Sequence, residues 1–82
     1  MRFHQVNILL PKSVSLDLSE SAMEDAYVFL QSDPFIESVD GAMSGSEVLS
    51  FLVGTEVLTQ EETAVKVTVV LENHFGGNFT VF

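Results

Sequence analysis

The first element that the hydrophobic pattern predicts is a β-strand near the start of the chain. The residues on one face would be His4, Val6, Ile8 and Leu10, and those on the other would be Phe3, Gln5, Asn7 and Leu9. Alternation with a period of two is typical of a strand with at least one buried side. Pro11 has no amide hydrogen to donate to a sheet, so we expect the strand to end there.

A helical period follows between Ser19 and Ser32. The residues that share one apolar arc are Ala22, Met23, Ala26, Tyr27, Phe29 and Leu30, with Glu20, Glu24, Asp25 and Gln31 opposite. The candidate capping boxes at its start pair Ser21 with Glu24 and Asp17 with Glu20. Asp33 precedes a proline and therefore avoids helical angles, which ends the helix. Val28 falls on the polar side, where it would be an exposed contact residue.

Two shorter runs of apolar and β-branched residues predict a pair of strands. The proposed elements are a strand from Phe35 to Ala42, a turn from Met43 to Ser46 and a strand from Glu47 to Val53, closed by Gly54. A helical interpretation of the second run competes, because Ser44 and Glu47 have the spacing of a capping box. The β-rich composition of the run favours the strand.

The segment from Thr59 to Phe75 carries two conflicting signals. Its β-branched residues favour a strand. However, Thr59 and Glu62 have the spacing of a capping box, and Val67 and Leu71 lie one helical turn apart. Gly76 and the glycine after it would end a helix. We predict a helix here, followed by a last strand over residues 79–82.

The predicted elements repeat in order, and this repetition favours one architecture. A strand, a helix and a strand span residues 8–39, and residues 51–82 show the same order and spacing with weak identity. Two such halves give βαββαβ, the ferredoxin-like two-layer α+β sandwich, with residues 1–82 as one compact domain. The alternative is β-α followed by an antiparallel β-meander, in which the glycines at 76–77 form a hairpin turn.

Composition narrows the chemistry and the setting of the protein. The chain has 82 residues and no cysteine, which excludes disulfides, thiolate metal sites and cysteine nucleophiles. No apolar run approaches the roughly 18 residues of a membrane span. Gln5 and Asn7 interrupt the apolar N-terminal stretch, unlike the core of a signal peptide. We therefore expect an intracellular, cytoplasmic protein with no cofactor and no membrane contact.

The distribution of charge is the strongest functional signal. The formal net charge is -9, and all but one of the 12 acidic residues lie between Asp17 and Glu62. The basic residues are Arg2, Lys12 and Lys66, so the long central part of the chain has none. A field of this sign repels nucleic acid and anionic membrane and attracts basic surfaces.

These observations predict a small, acidic, non-enzymatic interaction protein that binds a basic surface of a macromolecular partner. The contact residues would be Asp17, Glu20, Glu24 and Asp25 on the first helix, with Glu61 and Glu62 at the start of the second. The sharpest version is an inhibitor of a nucleic-acid-binding protein, a mimic whose carboxylates replace phosphates. Small, cysteine-free, acid-rich anti-defence inhibitors encoded by phages are similar in general composition.

The βαββαβ order also predicts self-association. Both helices would cover one face of the sheet and leave the other face open. Apolar residues would lie on both sides of the first strand, with Phe3 and Leu9 on the side opposite Val6 and Ile8. Because large exposed apolar patches mark contact sites, we expect a homodimer through the open sheet face.

Few residues could carry chemistry. His4 and His74 are the only histidines, and neither stands in a metal-ligand spacing, so no catalytic and no metal site is predicted. One alternative is a homo-oligomeric small-molecule-binding protein or minor enzyme with a pocket between sheet and helices. Tyr27 and His74 would be its first candidate residues. A structural assembly subunit is the other alternative.

Overall fold

A computed structural model describes all residues from 1 to 82 and contains two helices and a four-stranded sheet. The elements in chain order are β1 (Arg2–Leu9), α1 (Leu16–Gln31), β2 (Ser38–Ser44), β3 (Val48–Thr55), α2 (Gln60–Phe75) and β4 (Thr80–Val81). The sheet is antiparallel with the order β2-β3-β1-β4. The predicted ferredoxin-like α+β sandwich is therefore confirmed, and the β-meander alternative is wrong.

The sheet and the helices enclose one core. The buried apolar residues include Val6 and Ile8 of β1, Leu49, Phe51 and Val53 of β3, Ala22, Ala26 and Leu30 of α1, and Val67 and Leu71 of α2. Residues that pair across strands share a face, so the register of Val6 with Phe51 and of Ile8 with Leu49 aligns the core side chains. Both helices pack on this face, and the opposite face of the sheet is open.

Helix α1 begins three residues before its predicted start. The Ser15 side chain caps it by accepting a hydrogen bond from the Leu18 amide at 3.2 Å. Neither predicted capping box forms, because the chain already turns into the helix before those residues. The predicted apolar arc is correct for Ala22, Ala26 and Leu30, but Phe29 is 43% exposed and does not belong to the core.

Helix α2 confirms the helical interpretation of the ambiguous segment. The Thr59 hydroxyl accepts a hydrogen bond from the Glu62 amide at 3.1 Å, and the Glu62 carboxylate accepts one from the Thr59 amide at 2.9 Å. Gly76 follows the helix with a φ of 60°, a conformation that glycine adopts without strain. Capping at both ends and a buried stripe therefore outweigh the β-propensity of the valines.

The boundaries of three strands differ from the predicted ones. β2 begins at Ser38 rather than Phe35, because the Asp33 carboxylate accepts a hydrogen bond from the Phe35 amide at 2.8 Å and holds this part of the chain in a turn. β3 is a strand, as we predicted over the helical alternative, and it continues past Gly54 to Thr55. β4 comprises Thr80–Val81, half the predicted length.

Candidate interaction surface

The two helices run antiparallel, and two ionic contacts tie them together. The His74 Nε2 lies 2.7 Å from the Asp25 carboxylate, and the Lys66 Nζ lies 2.5 Å from the carboxylate of Asp33 just after α1. The hydrogen bond from Lys66, together with one from the Phe35 amide, lowers the pKa of Asp33 against the opposing effect of burial. Asp33 therefore remains ionised, and the positive charge of Lys66 is paired with it inside the protein.

All six predicted contact residues lie exposed on the two helices, but they form two groups. Asp17, Glu20, Glu24 and Asp25 lie in the first ten residues of α1, and Glu61 and Glu62 lie in the first turn of α2. Because the helices are antiparallel, the first turn of α2 lies beside the end of α1. A helix of 16 residues is about 24 Å long, so Asp17 is separated from Glu61 by most of that length.

Two of the six carboxylates already have partners inside the fold. Glu62 caps α2, and its hydrogen bonds with the Thr59 amide and hydroxyl lower the pKa of its carboxyl group. Asp25 contacts His74. No cation pairs with Asp17, Glu20, Glu24 or Glu61, which remain available to a partner.

The net charge of the helical layer is strongly negative. Helix α1 contains four acidic residues and no lysine or arginine. Helix α2 contains three acidic residues and Lys66, whose charge is paired with Asp33. Arg2 and Lys12 lie outside both helices. A partner that approaches this layer therefore meets carboxylates with little internal compensation.

Apolar side chains are also exposed on this layer, and the sequence pattern identified only one of them. The exposed fractions are 54% for Val28, 43% for Phe29, 58% for Val65 and 48% for Val69. The signal for the two valines of α2 was present in the helical period, since they lie opposite the buried Val67. The strong β-propensity of this stretch obscured that assignment.

A groove of about 530 Å³ runs between the helices on the outer side of the layer. Its apolar lining consists of Val28 and Phe29 of α1 and the buried Val70 of α2, and its polar lining includes Glu24, Asp25, Asn73 and His74. We call it the interhelical groove. A second depression of about 500 Å³ lies at the α2 start and is lined by Phe35, Leu58, Glu61, Glu62, Val65 and Lys66. Both depressions combine apolar side chains with carboxylates.

The residues considered for chemistry lie apart from one another. The Tyr27 hydroxyl accepts a hydrogen bond from the Gln31 side chain at 3.2 Å, and Tyr27 does not line the interhelical groove that contains His74. The His4 Nε2 lies 2.8 Å from the Leu58 carbonyl oxygen. No group of three or more metal-ligating side chains converges anywhere in the structure.

The open sheet face is mixed in character. The register places Gln5, Leu52 and Asp40 in one row across three strands, and Asn7 with Ser50 in the next. The Ser50 hydroxyl donates to the Asn7 side-chain oxygen at 2.9 Å. Apolar residues occupy the ends of the face, where Phe3 and Leu9 are exposed. Asp40 is the one acidic residue on these strands.

Comparison with protein-family models, with curated proteins and with solved structures finds no match to this chain. Neither helix is long and apolar enough to cross a membrane.

Proposed function

We propose that this protein is an acidic, non-enzymatic binding protein that recognises a basic surface on another macromolecule through its helical layer. The observation that carries the proposal is the set of exposed carboxylates on α1, which includes Asp17, Glu20 and Glu24 and has no lysine or arginine among them. In the free protein, water hydrates these unpaired carboxylates, and their negative field attracts a cationic surface at long range.

The sharper form of the proposal is inhibition of a nucleic-acid-binding protein inside the cell. Asp17, Glu20 and Glu24 lie three and four positions apart and therefore form one row along α1. A row of negative groups is what a phosphate-binding surface accepts. In this form the protein itself makes no contact with nucleic acid, and it blocks the surface that does.

The first experiment is a pull-down with tagged protein from host lysate, washed at low and at high salt and analysed by mass spectrometry. The proposal expects a basic, nucleic-acid-handling protein that is retained at low salt and elutes at high salt. The purified target then provides the partner for binding kinetics. Recovery of the bait alone would contradict the proposal.

Reversing two charges on α1 tests the surface directly. We expect Glu24→Lys with Asp25→Lys to lower the association rate constant about tenfold or more at low salt, because steering by charge acts on the approach of the partner. The dissociation rate should change less. Stopped-flow or surface-plasmon kinetics at several salt concentrations measure both constants.

The matched control places the same charge change elsewhere. Glu37→Lys with Asp40→Lys alters the net charge equally, but these residues lie before and within β2, away from the helical layer. An equal loss in both double variants would show that net charge alone attracts the partner. Unchanged affinity of the α1 variant at low salt would contradict a role for this surface.

A second candidate property, homodimerisation through the open sheet face, is favoured by the low charge of that face. Asp40 is its one acidic residue, so two copies could meet there with far less repulsion than through their helices. The proposal expects a dimer in sedimentation equilibrium that Phe3→Asp with Leu9→Asp converts to a monomer. A monomer at every concentration of the unmodified protein would contradict it.

A further inference from the structure

We propose that the interhelical groove binds a positively charged amphipathic helix of the partner. This inference rests on the proposed function and adds the form in which the basic surface is presented. It follows from the combination of exposed apolar side chains and carboxylates between α1 and α2. A purely electrostatic contact would need only the carboxylates.

The apolar part of the site extends over both helices. Val28 and Phe29 line the interhelical groove from α1 and are 54% and 43% exposed. Val70 lines it from α2 and is buried, whereas the exposed Val65 and Val69 of α2 lie outside its lining. Val28 and Phe29, beside the buried Val70, offer apolar area that a third helix can cover, as in other helix-in-groove complexes.

The charged rim determines which occupant fits. Glu24 and Asp25 line the groove on the α1 side, and His74, which contacts Asp25, lines it from α2. Glu24 has no cationic partner, and Lys66 is held by Asp33 outside the groove. A helix with an apolar stripe bordered by lysine or arginine would cover Val28 and Phe29 and pair with Glu24 at the same time.

The same rim disfavours the other occupants of an apolar surface. Two copies of this protein that met through their helical layers would bring Glu24 and Asp25 close to the carboxylates of the second copy. An anionic membrane surface would meet the same repulsion. A cationic helix is the occupant whose charge and apolar area both complement the groove.

The test uses two synthetic leucine–lysine peptides of 16 residues, the length of α1. One has its leucines at helical spacing, and the other is an isomer of the same composition in which that spacing is scrambled. Isothermal calorimetry at physiological salt should show the amphipathic peptide binding about tenfold or more tightly than its isomer. The difference isolates the apolar contact, because both peptides carry the same charge.

Two double variants locate that contact. Val28→Ser with Phe29→Ser removes both exposed apolar residues of the groove and should weaken binding of the amphipathic peptide about tenfold. Val57→Ser with Phe82→Ser is the matched control, since both residues are exposed outside the helices, and it should leave binding unchanged. Melting curves confirm that both variants fold.

The outcomes separate this inference from the proposed function. Equal binding of the two peptides, or an equal loss in the two variants, would overturn the groove proposal while the preference for basic surfaces stands. Absence of binding by both peptides even at low salt would overturn both. In spectra of the labelled protein, amide shifts at Val28 and Asn73, which line the groove from the two helices, support the groove, and shifts confined to the open sheet face overturn it.

Discussion

Replacing Phe51 by alanine is expected to lower the free energy of unfolding by about 3–5 kcal/mol. Phe51 is fully buried and is among the largest of the buried side chains. It lies in β3, opposite Val6 of β1 and Gly41 of β2, where the sheet meets the helices. Removing the ring leaves a cavity that flanking strands cannot close without losing their register. For a small domain the loss is a large part of the total stability.

The control is a phenylalanine in the same sheet that faces the other way. Phe3 lies in β1 and is 58% exposed in the single chain, so Phe3→Ala should lower the free energy of unfolding of the monomer by less than about 1 kcal/mol. Urea unfolding followed by circular dichroism gives both values, and similar slopes would show that the unfolded states are comparable. If the two variants lost similar stability, the open face would have to be packed rather than exposed.

The fold could be predicted from the sequence because the local patterns of helices and strands agreed with a repeated strand–helix–strand order along the chain. For α2, the decision between helix and strand depended on Thr59 and Glu62, whose capping box is present in the structure. The propensity of the valines alone would have given a strand. A capping box is defined by two residues three positions apart, so it can indicate a helix even where the propensities of the other residues favour a strand.

Strand boundaries were predicted less well, for a physical reason. The start of β2 depends on the turn at Asp33, and the end of β3 depends on the pairing of Gly54 with Phe3 and of Thr55 with Arg2. Such pairings join residues far apart in the chain, and no local pattern encodes them. The start of α1 was missed because Ser15, its actual cap, lacks the acidic residue that completes a capping box.

The acidic character of the candidate surface was visible in the sequence, but its geometry was not. Helix periodicity places Asp17 and Glu61 on exposed faces, yet only the antiparallel packing of the helices shows that they lie near opposite ends of the layer. The interhelical groove depends on that packing as well. The charge of a surface can therefore be predicted from the sequence. A site between two elements can be predicted only when the relative position of those elements is known.

The buried hydroxyl of Thr55 is the second position where a single change should be costly. Its Oγ1 donates a hydrogen bond to the Phe35 carbonyl oxygen at 2.6 Å and accepts bonds from the amides of Val57 at 3.3 Å and Leu58 at 3.2 Å. One side chain thus joins the segment that leads into β2 to the loop that leads into α2. Thr55→Val keeps the shape and removes all three bonds. We expect it to lower the free energy of unfolding by about 2–4 kcal/mol, because the buried amide of Leu58 and two partly buried backbone groups lose this partner.

The matched control is Thr63→Val, the same exchange at another fully buried threonine. The Thr63 hydroxyl donates to the Thr59 carbonyl oxygen at 2.8 Å, but that oxygen also accepts the Thr63 amide at 3.0 Å and keeps this partner in the variant. The expected loss is therefore below about 1 kcal/mol. Thermal and urea unfolding of both variants measure the difference. Equal losses would mean that the exchange of threonine for valine itself lowers the stability, rather than the unpaired amides beside Thr55. The Thr55 hydroxyl would then not be what joins the segment before β2 to the loop before α2.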